Sequence, residues 1–336
     1  MEQLGIFAAL SQDNQIKALT SVAFDAAKQF GIKVRELRNI SHSFNSTFQL
    51  IDDNSVKYSL RVNLNIDREK SAIKAEHKWL KEIEKIGIVK APIPISTLDG
   101  SPSASIYSKE LDYQFICTLA YWIEGEEVGD NPSNEQLFKL GQNMALLHNQ
   151  TLEFKRVDFS EFPNVNTVFM DMQDNLSNSS YIDDDIEFLD LIKKAKLDST
   201  RVFKELAEIE TLQLIHADLH MGNVIDQNGE LLIIDFDDAG FGHPSQDLSI
   251  SIFYLRDAKD SQKHLLEGYK SMREIPNGFE SSLERLLVAR QLVLLNTLLV
   301  TAVADEIAFI PEYIKKVKWR LQNFYNTGIF SLNPEI

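Results

Sequence analysis

The sequence predicts an α+β chain, with a small antiparallel sheet near the N-terminus followed by a larger, mostly helical part. Three observations predict it. Between Val34 and Asn63, apolar and polar residues alternate in three short runs separated by polar turns, the period-two pattern of half-buried strands. Beyond Asn134, apolar residues recur mostly at three- and four-residue spacing, as amphipathic helices require. Within that helical part, Leu214 to Asp247 returns to short apolar runs around loops rich in carboxylates and amides, and short strands are how a fold holds such loops in place.

Taken in order, Ile16, Leu19, Val22, Ala23, Ala26 and Ala27 have helical spacing, and Phe30-Gly31 reads as the helix end. Val34 to Ile40, Thr47 to Ile51 and Lys57 to Asn63 read as three strands. Ser41 to Ser46 forms the first connecting loop and Asp52-Asp53-Asn54 the second turn. A helix from Glu69 to Ile86 presents Ala72, Trp79, Leu80, Ile83 and Ile86 on an apolar face, with Glu76 in its middle. A carboxylate there needs a cationic partner or a strong donor, and Arg61 on the third strand is the candidate. Pro92 and Pro94 mark an extended connector. Ala104 to Ser108 and Tyr113 to Trp122 read as two further strands, the second running into Ile123-Glu124-Gly125.

The helical part opens with Asn134 to Asn149, where Leu137, Leu140, Gly141, Met144 and His148 share a face. His148 there reads as a core histidine. Residues 155–180 are poorly periodic and read as an insert or substrate-side loop. Asp183-Asp184-Asp185 leads a helix through Leu189, Ile192 and Ala195 to Leu206, its acids placed to face the N-terminal dipole. Pro244-Ser245-Gln246-Asp247 starts another helix through Ile250, Phe253 and Tyr254, with Asp247 read as its N-cap.

Composition narrows the function. The 336 residues, 44% hydrophobic and 25% charged, suit a globular chain with a sizeable core. A net charge of −16 repels nucleic acid phosphates and is compatible with a cationic small molecule. The single cysteine, Cys117, excludes an internal disulfide and suggests a reducing cytoplasm. No basic n-region opens the chain. The longest apolar region, Leu286 to Val303, is interrupted by Arg290, Gln291, Asn296 and Thr297, which predicts a buried helix rather than a membrane span. A monomer or homodimer is expected.

The chemistry concentrates in His216-x-Asp218-x-x-x-x-Asn223, followed by Asp235-Phe236-Asp237. This spacing matches a phosphoryl-transfer loop and its metal-binding carboxylate. Mg²⁺ prefers oxygen ligands, and Asn223 and Asp235 supply them. Asp218 is the carboxylate placed to aim an acceptor hydroxyl and take its proton. A zinc or iron site from His216, Asp218 and His220 is the competing reading, and it leaves Asn223 and Asp235 without a role. Neither G-x-G-x-x-G nor G-x-x-x-x-G-K-[ST] occurs, which removes the P-loop kinases.

His216-Ala217-Asp218-Leu219-His220-Met221-Gly222-Asn223 resembles the H-G-D-L-H-P-G-N loop of aminoglycoside phosphotransferase-like enzymes. Ile234-Asp235-Phe236-Asp237 and Asp247-Leu248 are similar to theirs too. Ala217 and Met221 depart from the family's Gly and Pro, at positions that supply no chemistry. The resemblance is specific from His216 to Asp247 and weaker toward the N-terminus. It implies a bilobal, protein-kinase-like fold: a small antiparallel-sheet N-lobe over 1–118, a hinge at 119–125, and a larger helical C-lobe over 126–336 with the acceptor site.

The resemblance also implies ATP and Mg²⁺ as cofactors and a hydroxylated small molecule as acceptor. A protein Ser/Thr acceptor and a nucleotide-binding pseudokinase or scaffold are the alternatives. Asp218 would be catalytic, Asn223 and Asp235 metal ligands, and Asp237 an assistant to a second metal or to the substrate. Arg61, set by Glu76, would hold the non-transferred phosphates, with Ser43 and Asn45 in the covering loop. Leu119, Tyr121 and Trp122 would hold the adenine, and His216, His220 and Asp247 would support the loop.

Overall fold

The computed structural model describes residues 5–64, 69–153 and 161–334; residues 155–160 of the irregular stretch lie outside them. Two compact units divide the chain. One comprises residues 1–86, 91–124 and 300–310, the other 87–90, 125–299 and 311–336. The short segment 300–310 thus joins the first unit, although the helix before it and most of the helix that begins within it belong to the second.

In the first unit a single turn, α1 (Gly5–Ala8), precedes α2 (Gln12–Gln29). Gly31, at φ +75°, ends the helix, a conformation that favours glycine. Strands β1 (Val34–His42), β2 (Asn45–Asp52), β3 (Lys57–Asn63), β4 (Pro94–Ile95), β5 (Ala104–Ser108) and β6 (Tyr113–Tyr121) form one antiparallel sheet in the order β1-β2-β3-β6-β4, with β5 also on β6. The predicted Ser41–Ser46 loop is tighter than expected. Ser41 and His42 pair with Thr47 and Ser46, which leaves Ser43-Phe44 as the turn. Helix α3 (Lys70–Ile86) buries Ile73, Ala75, Trp79, Leu80 and Ile83. Ile86, placed on that face by its spacing, is 44% exposed at the helix end, although Ile83 in the same turn is buried. The core joins α2 to the sheet through Leu19, Val22, Phe48, Leu60, Phe115 and Cys117, with Val303 closing one side.

The second unit contains β7 (Glu126–Glu127), α4 (Asn134–Glu153), α5 (Ile186–Ile209), β8 (Gln213–Ile215), β9 (Val224–Gln227), β10 (Glu230–Ile233), β11 (Gly240–Gly242), α6 (Pro244–Tyr254), α7 (Lys259–Met272) and α8 (Phe279–Leu298). Most of α9 (Ala304–Thr327) lies in it as well. Strand β9 pairs with β10 and β7, and β8 pairs with β11. Asp185 caps α5 by accepting from the Phe188 amide at 3.0 Å. Helix α8 is buried along most of its length, as the interrupted apolar run predicted. Among the described residues no helix is long and apolar enough to cross a membrane.

Candidate active site

The loop between β8 and β9 is held from below by one buried carboxylate. Asp247, inside α6, accepts from the amides of His216 (3.2 Å, Oδ2) and Ala217 (2.8 Å, Oδ1). It also accepts from His148 Nε2 at 3.0 Å, while His148 Nδ1 accepts from the Tyr269 hydroxyl at 2.9 Å. His148 is therefore a core histidine with both ring nitrogens bonded. Asp247 does not cap α6. The helix starts at Pro244 after His243, and Asp247 sits a turn further in, where its oxygens reach the loop instead of the helix's own first amides. Burial raises the Asp247 pKa, but the His148 hydrogen bond, the nearby His148 and His216 and the Ala217 amide together hold it below the usual carboxylate range.

Two loop positions adopt left-handed backbone, Ala217 at φ +63° and Asp235 at φ +65°. A Cβ is strained there, by about 1 kcal/mol or more. At position 217 the strain is matched by burial: the Ala217 methyl packs with Val165, Met170, Ile215 and Val293. His216 points back into the protein. Its Nε2 donates to the Ile234 carbonyl at 3.0 Å, its Nδ1 accepts from the Asp218 amide at 3.3 Å, and its ring lies 4.6 Å from that of Phe236. This imidazole ties the first loop to the Asp235 segment. The Ile234 amide donates to the Asn223 carbonyl at 2.9 Å, adding a second tie.

Asp218 is partly exposed and gripped at both oxygens. The Asn223 amide donates to Asp218 Oδ2 at 3.1 Å and to the Asp218 carbonyl at 2.8 Å. Arg290 Nη2 forms an ion pair with Oδ1 and donates to the Tyr254 hydroxyl at 2.9 Å. His220 accepts from the Gly222 amide at 3.1 Å, stacks on Tyr254 with centroids 4.2 Å apart, and keeps Nε2 3.8 Å from Asp218 Oδ2. Burial lowers the His220 pKa, so its ring is a neutral support. The structure thus joins Asp218, Asn223, His216, His220 and Asp247 in one network.

Three of its members escaped the sequence reading. Arg290 was visible only as a polar interruption of an apolar helix, and Tyr254 only as part of a helix face. Asp238, last of the D-F-D-D run, has its pKa pushed up to about 7, first by enclosure within the protein and then by Asp218, against Arg290, with Asp235 and Asp237 adding to the rise. Those carboxylates therefore lie close enough to act on one another. With the Asn223 NH₂ committed to Asp218, its Oδ1 remains as a ligand oxygen, and Asp235 adds a carboxylate. This suits Mg²⁺, which takes one or two protein oxygens and completes its shell with phosphates and water. A zinc-type site is not favoured, since His216 and His220 use Nδ1 on backbone amides. Among the described residues no cluster of three or more His, Cys, Asp or Glu forms a metal cage.

The first unit carries the other predicted positions. Arg61, half-buried, lies on β3 between Thr47 and Thr118. Glu76 is half-buried on α3. Asn45 starts β2 opposite Asn63, and its Oδ1 accepts from the Leu64 amide at 3.4 Å. The Ser43 hydroxyl donates to Glu306, which also accepts from Thr301. On β6, Leu119 is buried between Leu60 and Ile95. Tyr121 is exposed and stacks on Tyr58 at 5.7 Å. The Trp122 amide donates to the Lys57 carbonyl at 3.1 Å. Asp237 follows Phe236 on the second unit's loop.

Residues 36–279 match the phosphotransferase enzyme family, and the chain belongs to that family. Its sequence is 24% identical over 237 residues to amicoumacin kinase of Bacillus subtilis (strain 168), covering 69% of this chain and 67% of the relative. The fold is similar to that of a microcompartment-associated aminopropanol kinase (TM-score 0.72, 20% identity, 95% of this chain and 99% of the other). It is also similar to that of an amicoumacin kinase in complex with AMP-PNP and Ca²⁺ (TM-score 0.66, 20% identity, 89% and 92%). The chain is a phosphotransferase with the mixed sheet-and-helix fold of these kinases.

Proposed function

We propose that this phosphotransferase moves the γ-phosphoryl group of ATP to a hydroxyl of a small molecule. The observation that carries this reading is the Asp218 carboxylate, held by Asn223 on one oxygen and Arg290 on the other, at the family's catalytic position. Asp218 orients the acceptor hydroxyl and takes its proton as the oxygen–phosphorus bond forms and ADP leaves. Asn223 and Asp235 hold Mg²⁺, which would neutralise charge on the phosphates, and Asp237 assists a second metal or the substrate. His216, His220 and Asp247 keep the loop in shape. Arg61, set by Glu76, holds the non-transferred phosphates beneath the Ser43–Asn45 turn. Leu119, Tyr121 and Trp122 form the adenine edge, within a hinge at 119–125. The nucleotide falls to the N-terminal lobe and the acceptor to the lobe that follows.

The relative named for aminopropanol supports an acceptor that carries an amine as well as a hydroxyl, in keeping with the net charge of −16. The test is ADP release from Mg²⁺-ATP by purified protein across amino alcohols, aminoglycosides, hydroxy amino acids, sugars and a generic protein substrate, with thermal shift by ATP measured in parallel. Stimulation by one class of small hydroxylated amine is the expected result. A Mg²⁺-dependent ATP shift with no stimulation by any acceptor would count against transfer, and stimulation by the protein alone against the small-molecule acceptor.

A further inference from the structure

The carboxylate placed at the centre of the reaction has a partner outside every motif that identifies the loop. Arg290 comes from the middle of α8, beside Gln291 and among Leu286, Leu287, Val288, Ala289, Leu292 and Val293. Its side chain is 4% exposed. Taking a guanidinium out of water costs several kcal/mol unless its charge and donors are met. Here Nη2 meets the Asp218 carboxylate and the Tyr254 hydroxyl, while the buried Nε has no hydrogen-bond partner among the described residues. The guanidinium carbon stands 5.7 Å from the Tyr254 ring centroid, and that ring is backed by His220. Burial alone would weaken the arginine's charge, but Tyr254, Asp218 and Asp238 more than offset it.

The two grips on Asp218 come from different places. Asn223 belongs to the same loop and moves with it. Arg290 is anchored in a buried helix and fixes the carboxylate against the body of the second unit. With one hydrogen bond at each oxygen, the plane and direction of the carboxylate are set, and each oxygen keeps a lone pair for an incoming hydroxyl.

We propose that Arg290 is a positioning residue for phosphoryl transfer, fixing the Asp218 carboxylate in the direction from which it meets the acceptor hydroxyl. The proposal rests on the role given to Asp218 above. In the step itself the hydroxyl proton passes to Asp218, the acceptor oxygen bonds to phosphorus, and the bond to the β-phosphate oxygen breaks with its electron pair. Arg290 neither gains nor loses a proton. Its contribution is geometric, and a misplacement of about 1 Å in such a group can cost ~10²-fold in rate.

The test compares Arg290→Lys, Arg290→Ala and Asp218→Asn with the parent, using Mg²⁺-ATP and the acceptor that gives the highest turnover in the panel above. For Arg290→Ala the expected result is a kcat lower by about 10²-fold with KM for ATP within about twofold of the parent. Added guanidinium ion should restore part of that kcat and leave Asp218→Asn unchanged. Arg290→Lys keeps charge without the planar fork and should fall between the two. If Asp218→Asn abolishes turnover while Arg290→Lys and Arg290→Ala both keep kcat within about threefold, the positioning role is wrong although the reading of Asp218 stands. Should Asp218→Asn itself retain full turnover, the underlying reading fails. If Arg290→Ala does not fold, Arg290→Lys decides: parental kcat overturns the proposal, and a kcat loss at unchanged KM and melting temperature supports it.

Discussion

The Ala217 amide donates to Asp247 Oδ1 at 2.8 Å, so a loop built for chemistry hangs from the buried first turn of α6. Asp247 is fully buried and serves three donors, the Ala217 and His216 amides and His148. Asp247→Asn keeps the shape but offers a single acceptor oxygen and no charge. Stability should fall by about 3 kcal/mol, the usual cost of breaking a buried charged network, and turnover should fall with it. Because the folded pKa of Asp247 is depressed, its contribution is present above the unfolded carboxylate value of ~3.9 and is lost as pH falls through the lower folded value. Urea melts from pH 7 down to pH 3 should show this acid loss in the parent and a weaker one in Asp247→Asn. Equal acid slopes would exclude Asp247 as their source.

Asp218 and Asp235 should separate turnover from nucleotide binding. Asp218→Asn keeps the shape but sets an NH₂ against one of the two donors, Asn223 or Arg290, and cannot take a proton. It should lose ~10²- to 10⁴-fold in kcat while binding AMP-PNP as the parent does. Asp235→Asn should lose the Mg²⁺-dependent part of nucleotide affinity. Calorimetry of each variant with AMP-PNP, with and without Mg²⁺, reads both. Parental turnover in Asp218→Asn, or undiminished Mg²⁺ dependence in Asp235→Asn, would reassign that residue.

Helices α4 and α7 cross at two glycines. A Cβ on Gly268 would run into the Phe138 carbonyl, and one on Gly141 into the Leu265 carbonyl and the Tyr269 amide. Both obstacles are backbone, which cannot rotate away. Gly268→Ala and Gly141→Ala should each destabilise by at least the ~1–3 kcal/mol typical of overpacking, despite alanine's better helix propensity. The Tyr269–His148–Asp247 chain starts on α7, so turnover should fall with stability. Unchanged melting temperatures would mean that the helices pack less closely than this.

Much of this was legible in the sequence, and the limits have physical causes. The period-two strands and the spacing of His216, Asp218, Asn223 and Asp235 are local signals, readable because they depend on neighbours within a few positions. Gly141 showed itself as a member of the buried face of α4. Long-range partners do not. The pairing of Arg290 with Asp218 is a tertiary event, and Arg290 appears in the chain only as a polar break in an apolar run. Asp247 resembled an N-cap because acids before apolar runs often are, whereas the helix starts at Pro244, where the sequence placed it, and Asp247 bonds the His216 and Ala217 amides instead. Residues 300–310 join the first unit through Gln15, whose side chain donates to the Ala302 carbonyl at 2.7 Å and accepts from the Ala304 amide at 3.2 Å. No periodicity announces such a contact.

That segment brings a carboxylate to the β1–β2 turn. Glu306 accepts from the Ser43 and Thr301 hydroxyls, and burial raises its pKa against those two bonds. If the turn covers the phosphates, as proposed, Glu306 ties up a Ser43 hydroxyl and places negative charge beside anions. Glu306→Gln keeps the bonds and removes the charge. Affinity for AMP-PNP should rise, by roughly threefold to tenfold for one partly screened charge, and most at low salt. Calorimetry at two ionic strengths measures it. Equal or weaker binding would mean that Glu306 holds the turn in its binding shape instead of opposing the nucleotide.

Asp238 makes the opposite kind of titration from Asp247. Its pKa is raised to about 7, above the unfolded value of ~3.9, because enclosure and the neighbouring carboxylates disfavour a further negative charge. For a raised carboxyl the folded state binds the proton more tightly, so this stabilisation is complete below the unfolded pKa and is lost as pH climbs through about 7. Urea melts without metal or nucleotide should therefore show stability declining between pH 5 and 8. Asp238→Asn, always neutral, should flatten that decline while leaving the acid loss assigned to Asp247 in place. Mg²⁺ bound with nucleotide should flatten it too, since a cation among these carboxylates favours the ionised form. A parent curve that is already flat from pH 5 to 8 would mean that Asp238 is ionised throughout, and that Arg290 neutralises more of the cluster than the single ion pair to Asp218 suggests.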